Sequence, residues 1–144
     1  IQNPARSRSF FSTLARGIHN AVFQRGVVVS HLGPVENPTL IAQAADFLLA
    51  YRKARWTMGT GKFRDRMHVS LRAAKPLPTA ESILCKVLPN PGQAGGHDQI
   101  AGGNVHLRKN MRPGSYARLE RRILHGLLKH LHIKAAKRLR YPFR

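Results

Sequence analysis

The glycine-rich stretch Gly59-Thr60-Gly61-Lys62-Phe63 has residue types that can bind phosphate. In a nucleotide-binding phosphate loop, a glycine stands five residues before the Gly-Lys pair, and a serine or threonine follows the lysine. This chain has Trp56 and Phe63 at those two positions, so the stretch does not match a nucleotide site. The glycine N–H groups, with the cations beside them, are instead expected to contact the phosphates of a nucleic acid.

Three of the eight histidines lie close enough in sequence to suggest a metal site: His125, His130 and His132. On a helix, positions 125 and 132 share a face, whereas position 130 lies well away from it. A structural zinc site uses four converging ligands, and no cysteine or suitably placed carboxylate accompanies these histidines. We therefore expect no metal and no cofactor.

The carboxylates do not suggest general acid–base catalysis. Six acids are spread over 144 residues, and Asp65 lies between Arg64 and Arg66, where a local ion pair is the simpler role. The chain shows no nucleophile elbow and no Cys–His signature. Its single cysteine, Cys85, excludes an internal disulfide and has apolar neighbours typical of a buried core position. We expect no enzymatic activity and no small-molecule substrate.

Apolar periodicity predicts the elements that must position these side chains. A helix is supported at 38–57, where Asn37 can act as N-cap and Pro38 suits the first helical position. Apolar residues at helical spacing predict helices over 8–24, 38–57, 80–88 and 116–138, and short β-branched or alternating runs predict strands at 27–29 and 67–71.

Two stretches rich in glycine are predicted as loops. Residues 57–66 form a basic loop, and residues 89–104 contain Gly, Pro and Asn with little charge. The second stretch is typical of an extension that packs only within an assembly. We therefore expect 76–107 to be disordered in the absence of partners.

These elements predict a mainly α fold with a small core of three to four helices, one or two short strands, and long basic or Gly/Pro-rich extensions. The predicted organisation is a basic amphipathic segment at 1–26, a small helical core at 27–88 with a basic loop at 52–75, a Gly/Pro-rich extension at 89–107, and a basic amphipathic helix and tail at 108–144.

The charge is large and comes in blocks. The chain has 25 Lys and Arg against 6 Asp and Glu, a formal net charge of +19. Residues 52–75 hold eight cations and one acid, and residues 108–144 hold twelve cations and one acid. Such an imbalance repels itself in a compact state and favours a polyanionic partner.

The cations in these two blocks are the candidate RNA-binding residues. Arg outnumbers Lys by 17 to 8, and a guanidinium can both bind phosphate through two N–H groups and stack on an unpaired base. The predicted phosphate contacts are Arg52, Lys53, Arg55, Lys62, Arg64, Arg66, Arg108, Lys109, Arg112, Arg118, Arg121, Arg122, Lys137, Arg138 and Arg140.

The stretch from Arg6 to Arg16 has the composition of a mitochondrial presequence. It is rich in Arg and Ser, contains no acid, and continues into apolar residues spaced every four positions. With the Arg-rich blocks, the Gly/Pro-rich extension and the basic tail, the chain resembles a mitochondrial ribosomal protein in class, without the motif of a particular family. The resemblance implies a structural role in the mitochondrial matrix, with ribosomal RNA and neighbouring ribosomal proteins as partners.

A second interpretation is an accessory subunit of a mitochondrial inner-membrane complex. The basic amphipathic segments at 8–24 and 116–138 have the pattern of helices that lie on anionic lipid. The chain has no apolar run of 18 residues, and its arginine excess favours RNA over lipid. Membrane contact is therefore the less favoured prediction.

Overall fold

The computed structural model describes residues 5–89 and 94–144. Within these ranges the chain forms four helices and six strands. In chain order they are α1 (Arg8–His19), β1 (Val22–Gln24), β2 (Val27–Pro34), α2 (Thr39–Leu48), β3 (Trp56–Phe63), β4 (Arg66–Ala73), α3 (Ala80–Val87), β5 (Ala94–Gly96), β6 (Ile100–His106) and α4 (Ser115–His130).

The six strands form one mixed sheet with the order β1-β2-β3-β4-β6-β5. Strands β2 and β3 are parallel and are connected through α2, as a parallel pair requires a crossover. The other neighbours are antiparallel. Strand β6 lies between β4 and β5 and is paired on both sides.

Helices cover both faces of the sheet. On one face, α1 and α2 pack over β2, β3 and β4, where Leu32, Ile41 and Ala44 form a buried cluster. On the other face, α3 and α4 bury Ile83, Leu127 and their neighbours against the larger core. Alternation along the strands separates the two clusters, since side chains at successive strand positions point to opposite faces.

The prediction of a mainly α fold is wrong: the chain is an α/β protein built on a six-stranded sheet. The sequence pattern missed β1, β3, β5 and β6, and the last three of these strands contain glycines. Gly59 and Gly61 lie beneath α2, and a Cβ at Gly61 would come within 2.7 Å of Ile41 Cδ1. Glycine in these strands allows close packing of a helix, and its lack of a side chain removes the alternation that identifies a strand.

Three predicted helices are shorter in the structure. The first ends at His19, and β1 occupies part of the remaining predicted span. The second ends at Leu48, well before position 57, and the last ends at His130, well before position 138. In each case the pattern of apolar residues continues, but the later residues pack against the sheet or the tail in non-helical conformations.

The two predicted loops are largely strands. Residues 57–66 belong to the β3–β4 hairpin, with Arg64 and Asp65 at its turn. From the Gly/Pro-rich extension, 94–96 and 100–106 form β5 and β6, while 90–93 lie outside the described residues. Residues 1–4 of the presequence-like segment also lie outside them, and the following α1 packs on the sheet with Gly17 against Leu32 and Ser30.

Candidate nucleic-acid interface

The β3–β4 hairpin carries three predicted phosphate contacts to one end of the sheet. Lys62 and Arg64 are exposed, and Arg66 is half-buried. Arg64 begins a two-residue turn with a positive φ of 55°, a conformation that matches the twist of the flanking strands. Its guanidinium lies 5.0 Å from the ring centroid of Phe63. A guanidinium held beside an aromatic ring can bind phosphate while the ring contacts a base or sugar.

Strands β5 and β6 expose one face, because α1 and α2 pack over the other half of the sheet. Gly95 and Gly102 are paired in register on this face. A Cβ at Gly102 would have one neighbour, the Val69 carbonyl oxygen at 3.8 Å, and a Cβ at Gly95 would have none within 4 Å. The two glycines therefore form a flat floor of backbone, and we call this surface, with the polar side chains beside it, the open face.

Polar side chains border the open face towards the hairpin end. The Arg66 guanidinium donates a hydrogen bond of 2.8 Å to Asn104 Oδ1, and His106 Nδ1 lies 3.3 Å from Asp65 Oδ2. Burial, followed by the nearby charge of Arg66, lowers the pKa of His68 and keeps it neutral at pH 7. A guanidinium, an amide and a neutral imidazole together can recognise both phosphate oxygens and base edges.

A second group of predicted contacts lies at the opposite end of the sheet. Arg52, Lys53 and Arg55 follow α2 and are exposed. They line one shallow depression together with Arg25 and Gly26, which form the β1–β2 turn. The Gly26 carbonyl accepts hydrogen bonds from the backbone N–H groups of Arg55 at 2.7 Å and Trp56 at 3.0 Å, which fixes the turn against the loop.

Sequence reasoning missed Arg25, although a signal was present. The pair Arg25-Gly26 separates two runs of apolar residues, which is the pattern of a tight hairpin. Both residues have positive φ, 44° and 84°. The turn was not predicted because Val22–Gln24, the strand before it, was assigned to the helix predicted over 8–24. Asn104 and His106 of the open face were missed for a different reason, since β6 was not recognised as a strand. His68 lies in the strand predicted at 67–71, but without β6 the sequence did not place it beside Asn104.

The remaining predicted contacts are spread over the C-terminal third. Arg108 and Arg112 line a depression with His106 and Ser115, next to the open face, and Lys109 is exposed in the same connection. Three arginines lie on the solvent side of α4, and three cations lie in the tail. The α4 group is Arg118, Arg121 and Arg122, and the tail group is Lys137, Arg138 and Arg140, all of them exposed.

The tail is attached to the edge of the sheet. The backbone N–H of Phe23 donates to the Arg140 carbonyl at 2.9 Å, and the Ala136 N–H donates to Gln24 Oε1 at 3.2 Å. Phe143 stacks edge-on against Tyr51, with ring centroids 5.0 Å apart. These contacts place Arg140 beside the β1–β2 turn, far from the hairpin end.

The fifteen predicted residues therefore do not form one site. The structure brings together Lys62, Arg64 and Arg66 at the hairpin end, with Arg108 and Arg112 nearby. It brings Arg52, Lys53, Arg55 and Arg140 together at the opposite end. The α4 arginines and the exposed Lys109, Lys137 and Arg138 lie outside both groups.

One partly buried polar cluster has the residue types of a catalytic site. His31 Nδ1 lies 2.6 Å from Thr60 Oγ1 and 3.2 Å from Glu120 Oε2. Burial lowers the pKa of His31 to about 4 and raises that of Glu120. Tyr116, whose hydroxyl is buried without a hydrogen-bond partner in the described chain, lies close by. Thr60 is fully buried, and both partners contact the same imidazole nitrogen, so the cluster links α4 to strands β2 and β3.

Two other kinds of feature are absent from the described residues, a metal-binding cluster and a membrane-spanning helix. In residues 5–89 and 94–144, no three His, Cys, Asp or Glu side chains are arranged to hold a metal ion. His125, His130 and His132 are exposed on or after α4. Over the same ranges, none of the four helices has the length and apolar content needed to cross a bilayer.

The fold is shared with proteins of known structure. An exopolyphosphatase-related protein from Bacteroides fragilis has a TM-score of 0.66 at 13% identity, over 88% of this chain and 36% of that protein. The C-Ala domain of alanyl-tRNA synthetase from Aquifex aeolicus has a TM-score of 0.53 at 16% identity, over 74% of this chain and 96% of that domain. A pGpG-specific phosphodiesterase from Vibrio cholerae has a TM-score of 0.53 at 9% identity, over 85% of this chain and 40% of that enzyme.

These similarities show the fold alone. The chain spans less than half the length of the exopolyphosphatase-related protein and the phosphodiesterase, whereas it matches nearly the whole C-Ala domain. No family model and no curated protein matches the sequence. None of the three structures is described as a ribosomal protein.

Proposed function

We propose that this protein is a non-catalytic RNA-binding subunit of the mitochondrial ribosome that contacts ribosomal RNA through its exposed cations. One observation carries the proposal. In residues 5–89 and 94–144, Arg72 is the one Lys or Arg that pairs with a carboxylate, through Asp46. The other cations keep their charge unneutralised at the surface, and a phosphate backbone supplies the missing counter-charge.

The open face adds a surface on which nucleotides can lie. Its glycine floor gives access to the backbone of β5 and β6, and Arg66, His68 and Asn104 stand at its border. Phosphate contacts position an RNA, while contacts to unpaired bases supply preference. The open face thus combines charged and polar side chains at its border with a flat surface on which planar bases can lie.

The structural neighbours support a phosphate-rich ligand. They are a tRNA synthetase domain, an exopolyphosphatase-related protein and a phosphodiesterase specific for pGpG. Two of these neighbours are an enzyme and a relative of an enzyme, but this chain covers only 36% and 40% of those proteins. The C-Ala domain is the neighbour of matching size, and it is one domain of a tRNA synthetase.

The membrane interpretation requires apolar helix faces that the fold already uses. In α4, Ile123, Leu127 and Leu128 are buried in the main core. In α1, Gly17 contacts Leu32 closely. Binding to a bilayer through these faces would cost the buried contacts, so we favour RNA as the partner.

Sedimentation of tagged protein through a gradient of mitochondrial lysate tests the proposal. We expect the protein to follow one ribosomal subunit peak and to leave it after treatment with RNase. Flotation with anionic liposomes is the parallel measurement for the alternative. Co-migration with membranes, or a sedimentation profile that does not follow ribosomal particles, would contradict the proposed function.

A further inference from the structure

Three depressions join along the end of the sheet where β2 and β3 begin. The central one is lined by Arg25, Arg52, Lys53 and Arg55. Arg25 also lines the next depression, with Lys134 and Arg140 of the C-terminal segment. Arg55 also lines the one on the other side, with Lys75. Because the shared arginines connect the three, we treat them as one surface and call it the basic groove.

The basic groove has a single sign of charge. Its cations come from four separate parts of the chain: the β1–β2 turn, the α2–β3 loop, the β4–α3 loop and the C-terminal segment. Among the residues that the structure describes, no carboxylate lines any of the three depressions. Cations gathered from distant segments repel one another in the free protein, and an anion that binds among them removes this cost.

Backbone hydrogen bonds fix the groove in place. The Gly26 carbonyl accepts from Arg55 and Trp56, and the Ala74 N–H donates to the Arg55 carbonyl at 2.8 Å. Gly26 has no side chain over the groove floor, and a Cβ there would lie 3.2 Å from the Arg55 side chain. The cations are therefore attached to ordered backbone, which reduces the conformational entropy lost when a ligand binds.

The shape suits a chain of phosphates more than a compact ligand. The groove crosses the ends of β1 to β4, three strand spacings or about 14 Å. It is shallow, and half-buried Phe23 and Trp56 lie along its floor. An extended backbone can place successive phosphates along such a surface while sugars or bases contact the aromatic rings.

We propose that the basic groove binds the phosphate backbone of a single RNA strand, with little dependence on base sequence. The inference rests on the proposed RNA-binding function and adds to it a defined path, at the end of the sheet opposite the β3–β4 hairpin. In this arrangement the open face and the groove are separate contact regions for one or two RNA segments.

Two triple variants of the full chain test the proposal. The groove variant is Arg52→Gln, Lys53→Gln and Arg55→Gln. The matched control is Arg8→Gln, Lys86→Gln and Lys129→Gln, three cations that lie outside the groove and are not among the predicted phosphate contacts. All six side chains are exposed, and the two variants remove the same net charge. Thermal unfolding by circular dichroism should give the same midpoint for both variants and the wild type.

Fluorescence anisotropy with a single-stranded RNA oligonucleotide supplies the readout. We expect the groove variant to lose at least about tenfold in affinity and to lower the salt slope by about 2. We expect the control to lose less than about threefold. Equal losses in the two variants, with wild-type binding intact, would overturn the groove but leave the proposed function standing. Failure of the wild type to bind RNA would overturn both.

A second arm separates RNA from free phosphate chains, which share the same charge. Inorganic polyphosphate competes with the oligonucleotide at matched phosphate concentration. If RNA is the ligand, the oligonucleotide binds more tightly, because Phe23 and Trp56 contribute only when sugars and bases are present. Tighter binding of polyphosphate, with the same loss in the groove variant, would overturn the assignment of RNA.

Discussion

Two glycines on one face of the sheet have opposite surroundings. Gly61 in β3 lies under α2, where a Cβ would come within 2.7 Å of Ile41 Cδ1 and 2.8 Å of Ile41 Cγ1. Gly102 in β6 lies on the open face, where the nearest atom to a Cβ is 3.8 Å away. Gly61 thus allows α2 to pack closely on the sheet, and Gly102 leaves the backbone of β6 accessible.

Alanine substitution should separate these two roles. Gly61→Ala forces the fully buried Ile41 to shift, and we expect it to lower the free energy of unfolding by about 1–3 kcal/mol. Gly102→Ala meets no obstacle and should change that free energy by less than about 1 kcal/mol. Urea unfolding of both variants measures the difference. A larger loss for Gly102→Ala than for Gly61→Ala would contradict the assignment of the covered and open faces.

The cluster of His31, Thr60 and Glu120 makes a prediction about pH. Burial lowers the pKa of His31 from 6.5 to about 4, so between these values the unfolded chain binds a proton that the folded chain does not. Stability contributed by this group is complete above pH 6.5 and is lost as the pH falls towards 4, by up to about 3 kcal/mol. The raised pKa of Glu120 acts in the opposite direction, because its contribution is lost as the pH rises.

Comparison with a His31→Gln variant isolates the histidine. Urea unfolding is measured between pH 4 and pH 7 for both proteins. The wild type should lose more stability than the variant on acidification. Parallel pH profiles would contradict the lowered pKa of His31 in the folded protein, and with it the role of neutral His31 in attaching α4 to the sheet.

At the scale of elements, the sequence predicted helices better than strands. The N-caps of α1 and α3 are a serine and a threonine whose side chains accept from the helix N–H groups, and both starts were predicted within a residue. Strand β2 was predicted only at 27–29, since β-branched residues stop there while pairing continues to Pro34. Strands β3 and β6 were missed because of their glycines. The glycines of β3 make room for α2, and Gly102 of β6 lies on an uncovered face, and neither cause can be recognised from the local sequence pattern.

Strand β6 gives the clearest test at this scale. The sequence alone led us to expect disorder over 76–107 without partners, whereas the structure pairs Ile100–His106 with β4 and β5. Hydrogen exchange on the free protein should show strong protection of these amides, comparable to β4. Exchange at the rate of an unstructured peptide across β6 would contradict the six-stranded sheet and support an extension that orders only in an assembly.

At the scale of the whole molecule, the fold gathers two groups of cations at opposite ends of the sheet. Both faces of the sheet are largely apolar and covered, apart from the open face, and the remaining cations lie on the solvent sides of the helices and in the tail. The charge blocks in the sequence predicted which residues would be exposed, because a buried unpaired cation is costly. Some of these cations lie at the β3–β4 hairpin and others in the basic groove. This division depends on the strand order of the sheet, which cannot be predicted from the charge pattern.

The salt dependence of RNA binding tests the central claim most directly. If about eight cations of the folded protein neutralise phosphates, the logarithm of the association constant should fall with the logarithm of salt concentration at a slope of about −6. The measurement uses the intact chain and a single-stranded RNA at salt concentrations from about 50 mM to about 300 mM. Electrostatic screening changes strongly over this range. A slope of about −6 is the result that we predict, and a slope near zero would contradict RNA binding through the exposed cations.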